Sequence, residues 1–78
     1  NGPATWGPSE EIDYFAINTE LVQADKRTLS QLVEHYRMSE QSLNVVNITT
    51  ILHRSAKMRI QLPNNVAAFL ATSLATAA

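Results

Sequence analysis

Cysteine is absent from the 78-residue chain, which excludes a disulfide staple, a thiolate nucleophile and a sulfur-ligated zinc site. Glycine occurs twice and proline three times, and both glycines and two prolines fall in Asn1–Pro8, so residues 1–8 predict an extended arm and the rest is free to form regular structure. Aromatic residues are only 6% and charged residues 17%, with a net charge of -1, so the chain is neither a polyanion mimic nor a basic tail. The longest apolar stretch, Val66–Ala78, is interrupted by Thr and Ser and is far shorter than the roughly 20 residues a bilayer requires, so no membrane span is expected. Asn1–Ser9 lacks both a basic region and an apolar run, so no secretory signal is expected there. A first residue other than Met predicts either a processed product or a piece of a longer polypeptide.

A domain of this size buries only about 60% of the surface its unfolded chain exposes. A core this thin, with no covalent staple, predicts a chain that is stacked against a neighbour. The charge is unevenly placed. Glu10, Glu11, Asp13, Glu20 and Asp25 precede residue 26, whereas Lys26, Arg27, Arg37, Arg54, Lys57 and Arg59 face only Glu34 and Glu40 in the middle segment, a net +4. That segment predicts a weak positive field on one half of the molecule.

The remaining chain reads as amphipathic helices. Ser9 is placed to cap a first helix whose opening acids, Glu10, Glu11 and Asp13, complement the helix dipole rather than form a cation site. Ile12, Phe15, Ala16, Thr19 and Val22 form its apolar stripe, with a possible break at Asn18. Asp25 caps the next helix, which buries Leu29, Leu32, Val33 and Tyr36 before a turn over Met38–Ser42. Asn44 then caps a helix by accepting from the Asn47 N–H, with Val45, Ile48, Ile51, Leu52 and Ala56 on its apolar face. Pro63 ends that unit. Asn64 or Asn65 caps a last one, an Ala-rich, uncharged segment with Val66, Phe69, Leu70, Leu74 and Ala77 on one side. The expected fold is all-α: antiparallel helical hairpins resembling a fragment of an α-solenoid, with a repeat unit over residues 9–62 and an additional helix over residues 63–78.

The chemistry visible in the sequence is that of binding. His35 and His53 are the only candidate bases, each beside an apolar stripe, and no phosphate loop or metal-ligand spacing accompanies them, so neither an enzyme nor a cofactor or metal is expected. Arg54 and Lys57, three residues apart, share a helix face and can contact two phosphates or simply be solvated. Asn44, Asn47 and Thr50 can read base edges of a single strand or act as caps. Trp6 either packs over its own helices or anchors on a partner, and Val66, Phe69, Leu70 and Leu74 form an apolar face that a protein neighbour would cover.

The stretch Leu43–Lys57, with Asn44, Asn47, Thr50, His53-Arg54 and Ala56-Lys57 in register, resembles the pattern N-x-V-N-[IVL]-x-T-A-L-H-R-x-A-K. That pattern is found in helical-repeat RNA-metabolism proteins of plastids and mitochondria, the heptatricopeptide- and octotricopeptide-like repeats that often end in a RAP domain. Ile17–Ala24 and Leu29–His35 are similar to the same family's repeat opening and first repeat helix. The likeness spans roughly residues 17–62, one to two repeats. It departs at Ile51, where the pattern prefers Ala-Leu, and at Ser55, where an apolar residue is usual. The resemblance implies an organellar, non-catalytic α-solenoid that binds single-stranded RNA along its concave face, with Asn44, Asn47, Arg54 and Lys57 as contacts. A competing expectation is a small accessory subunit wedged into an organellar ribosome, photosystem or respiratory complex without touching RNA.

Overall fold

A computed structural model describes residues 12–77. They form four helices: α1 (Tyr14–Gln23), α2 (Lys26–Ser39), α3 (Val45–Lys57) and α4 (Asn64–Ala77), with no strand among the described residues. The fold is all-α, and the expectation of helical hairpins agrees with it. The arm of residues 1–8, with Trp6, and the Ser9 cap lie outside the described residues.

Short polar side chains set where the helices begin. Asp13 caps α1 by accepting from Ala16 N at 3.0 Å, so α1 begins at Tyr14. Asp25 accepts from Thr28 N at 2.8 Å at the start of α2, as its position in the sequence predicts. At the start of α3 the Asn44 side chain accepts from Asn47 N at 2.8 Å, while Asn47 Oδ1 accepts from Asn44 N at 3.1 Å. This reciprocal pair satisfies two backbone donors that the first helical turn leaves open. α4 opens with Ala67 N donating to Pro63 O at 2.9 Å.

The helix ends are less conventional. α2 continues through Met38, which is 71% exposed, and stops only at Glu40, whose φ of 54° is left-handed. Gln41 N donates back to Tyr36 O at 2.9 Å and Glu40 N to Arg37 O at 3.3 Å, the paired bonds of a Schellman stop. α3 repeats the device: Arg59 has φ 59°, Ile60 N donates to Ser55 O at 2.8 Å and Arg59 N to Ala56 O at 3.2 Å. Glycine normally occupies such a position because it has no Cβ to clash, and here a charged residue takes it twice.

One core joins all four helices. Leu21 and Ala24 from the α1 end, Leu29, Val33 and Tyr36 from α2, Leu43 from the turn, Ile48 and Ile51 from α3, and Val66 and Leu70 from α4 are buried together. Ile17, Leu32 and Phe69 pack against this cluster half-buried. The face of α2 is the one its spacing predicts. That of α1 is not: Ile12, Phe15, Ala16, Thr19 and Val22 are exposed, Phe15 by 83%, and Ile17, Asn18 and Leu21 turn inward instead. Asn18 sits inside a continuous helix and does not break it. On α3, Val45, Leu52 and Ala56 are exposed, while Asn47 and Ser55 join Ile48 and Ile51 inside.

Polar contacts fix the directions. Asn47 near the start of α3 reaches Tyr14 and Asn18, and Arg54, two turns later, reaches Ala24, so α1 and α3 run side by side in the same sense. Tyr14 Oη lies 3.1 Å from Ser42 Oγ and Tyr36 Oη donates to Glu20 at 3.3 Å, so α2 runs back past α1. α4 packs on α2 and α3.

Candidate partner-binding surface

Of the four residues nominated for RNA contact, Asn47 is the clearest correction. It is fully enclosed, and all its amide capacity is used inside the protein: Oδ1 on Asn44 N, Nδ2 on Tyr14 O at 3.1 Å and on Asn18 Oδ1 at 3.4 Å. A buried amide must be matched in this way or its desolvation is uncompensated. It therefore has no edge to offer a base. Asn44 is half-buried and occupied as a cap. Arg54 is half-buried as well. One terminal nitrogen donates to Ala24 O at 3.0 Å, capping the last carbonyls of α1, and its Nε is enclosed with no partner. Lys57 alone of the four is exposed. Thr50 is half-buried about two turns earlier on α3.

The five residues nominated for docking divide similarly. Val66 and Leu70 are already covered by the chain's own core, the latter 2% exposed, so they are not an open face. The Ala-rich helix finds this cover on α2 and α3, which the sequence did not anticipate. Phe69 is half-buried against the same core, Leu74 is exposed together with Ala77, and Trp6 lies outside the described residues.

The open apolar surface is elsewhere. A groove of about 440 Å³ runs between α1 and α3, lined by Val22 on one side and by Val45, Val46, Thr49, His53 and Arg54 on the other. Val46 is 58% exposed and Val22 about half. Phe15 and Thr19 continue the Val22 row along α1 at helical spacing. A larger cleft of about 820 Å³ lies between the α2–α3 turn and α4, where Phe69 is flanked by Ser42, Asn65, Thr72 and Ser73.

The fold also gathers charge. Because α1 and α3 end where α2 begins, the exposed Lys26, Arg27, Lys57 and Arg59 and the half-buried Arg54 lie toward one end of the bundle, opposed by Asp25. The Asp25 carboxylate is held below its ordinary range by the Thr28 backbone N–H and hydroxyl that it caps, with Arg27 adding to this. Toward the far end Arg37 is bonded to Glu34, each stabilising the other's charged form: the Glu34 carboxyl is lowered and the Arg37 guanidinium raised. Burial, and then the neighbouring Glu20 carboxylate, push the Tyr36 hydroxyl up to about 12.

No group of three side chains able to hold a metal ion occurs among the described residues, and none of the described helices is long and apolar enough to cross a membrane. His35 and His53 both stand on exposed helix faces. No family model matches this chain, and no curated protein or solved structure matches it.

Proposed function

We propose that this chain is a non-catalytic helical binding module that docks on another protein, as an accessory subunit of a larger assembly. The observation that carries the reading is the groove between α1 and α3. Phe15, Val22, Val45 and Val46 stand in solvent although inward positions on the same helices hold Asn18, Asn47 and Ser55. Apolar side chains contiguous on a surface mark interaction sites more often than chance. The likeness to organellar helical-repeat proteins supports placing the assembly in a plastid or mitochondrion.

A second reading, binding of single-stranded RNA, is favoured by the basic end, where Lys26, Arg27, Lys57 and Arg59 are free to meet phosphates. It is narrower than the sequence suggests, because Asn47, Asn44 and Arg54 already have partners within the protein. Photo-crosslinking side chains installed singly at Val46 and at Lys57, in the chain expressed in its native cell, separate the two. Protein adducts at Val46 are expected. Adducts at Lys57 that are destroyed by ribonuclease, with none at Val46, would transfer the function to RNA.

A further inference from the structure

We propose that the α1–α3 groove seats an amphipathic acidic helix of the partner protein, with apolar anchors on Val22, Val45 and Val46 and carboxylates at the end marked by His53, Arg54 and Lys57. This inference rests on the protein-docking reading above and names the chemistry of the partner.

Three observations converge on that occupant. The groove is apolar at its start, with Val22, Val45 and Val46, and ends at His53 and the Arg54 guanidinium; Lys57 lies one turn beyond the lining, on the row Val46, Thr49, His53, Lys57 that steps along α3 by three and four. None of the residues lining the groove is a carboxylate, and Asp25 stands at the basic end. α3 contains none at all, and Glu20, the one acid within α1, is engaged by Tyr36 of α2. From Val46 to Lys57 the row is about 16 Å long at the rise of an α-helix, enough for a helical segment presenting anchors at i, i+4 and i+7. A basic partner would place its cations at an end where Arg54, Lys57 and their basic neighbours already outnumber the Asp25 carboxylate. A neutral apolar one would leave them unmatched. An acidic helix satisfies both halves of the groove, and charge complementarity of this kind selects partners and speeds encounter.

The test uses the full 78-residue chain and three labelled helical peptides sharing one leucine seam at i, i+4 and i+7, whose last two turns carry Glu, Gln or Lys. Fluorescence anisotropy is expected to rank them Glu, then Gln, then Lys, with a gap of about tenfold or more between the first two that shrinks as salt is raised. Amide chemical shifts should move at Val22, Val46, Thr49 and His53. Val46→Asp and Val22→Asp, both at exposed positions, should each weaken the Glu peptide about tenfold while far-UV circular dichroism stays unchanged, and Lys57→Glu should narrow or reverse the ranking. Equal affinity for the three peptides overturns the proposal. So does a shift pattern centred on Phe69 and Thr72, or displacement of the Glu peptide by a single-stranded RNA oligonucleotide of equal charge. Crosslinking at Phe69 distinguishes the two levels of failure: protein adducts there, with no peptide in the groove, sink this assignment and leave the docking reading standing, whereas no protein adduct at either Val46 or Phe69 sinks both.

Discussion

α1 and α3 lie side by side and point the same way, yet they are held by different forces. α3 is held by apolar burial, with Ile48 and Ile51 enclosed and a hydrogen-bonded box at its start. α1 has Leu21 as its only fully enclosed large side chain, helped by half-buried Ile17 and by Ala24 at its end, and adds polar ties: Tyr14 O and Asn18 to Asn47, Tyr14 Oη to Ser42, Glu20 to Tyr36 and the Ala24 carbonyl to Arg54. The difference explains the exposed row on α1. Directional bonds fix the rotation of the helix about its axis, and Phe15 and Val22 are left outside because the bonds, not the greasiest stripe, choose the inward face.

The largest expected effect comes from removing apolar volume under α3. Ile51→Ala should lower the unfolding free energy by about 2–5 kcal/mol in denaturant titration. In a domain whose total stability is of the order of 5–15 kcal/mol or less, that approaches loss of fold, and a cost below about 1 kcal/mol would break the comparison. Asn47→Ala comes next, at about 1–3 kcal/mol, since it orphans buried groups on both helices. Here hydrogen exchange is the sharper readout, because α1 amides should lose more protection than α3 amides. Equal loss would show that α1 does not depend on these ties.

Tyr36 tests through pH a hydroxyl that is raised first by burial and then by its tie to Glu20. Its folded hydroxyl titrates at about 12 against an ordinary 10.0, so the fold favours the protonated form. The resulting stability is complete below pH 10 and declines as pH rises toward about 12. Tyr36→Phe should remove that part of the alkaline decline, measured as the difference between the two unfolding curves across the window. Identical curves would mean that neither burial of this hydroxyl nor its bond to Glu20 contributes to stability across that window.

The helix ends supply a smaller effect of opposite sign. Arg59 ends α3 in the left-handed region, so Arg59→Gly should raise stability by about 1 kcal/mol, whereas Ala24→Gly at the end of α1, where φ is -73°, should yield no gain. Thermal melts of the two variants against the parent decide it. Smallest of all is Phe15→Ser, expected within about 0.5 kcal/mol of the parent because the ring has little to lose. A larger destabilisation would mean that Phe15 packs against something in the free chain.

What the sequence conveyed well were features with a single local cause. Asp25 and Asn44 cap where a short acceptor precedes a periodic run, and Leu29, Leu32, Val33 and Tyr36 leave α2 only one face to bury. The failures share a cause as well. α1 carries two rows at helical spacing, Phe15–Thr19–Val22 and Tyr14–Ile17–Asn18–Leu21, and the more apolar row lost to the one that contains the amide. The turn expected over Met38–Ser42 begins too early, because the stop at Glu40 lacks the glycine that normally announces it. Asn47 looked like a reader of bases for the same reason that it makes a good internal tie: an amide offers two donors and an acceptor to whatever lies nearest, and spacing does not reveal which neighbour arrives first.

Arg54 gives one of these ties a second role. Its guanidinium closes the last turn of α1 while it also borders the groove. An incoming carboxylate that draws it away uncaps α1, and one that leaves it in place is met by a side chain already oriented. Occupancy of the groove and fraying of the first helix are then linked equilibria, so a guest that tightens this contact should damp the breathing of a helix it need not cover.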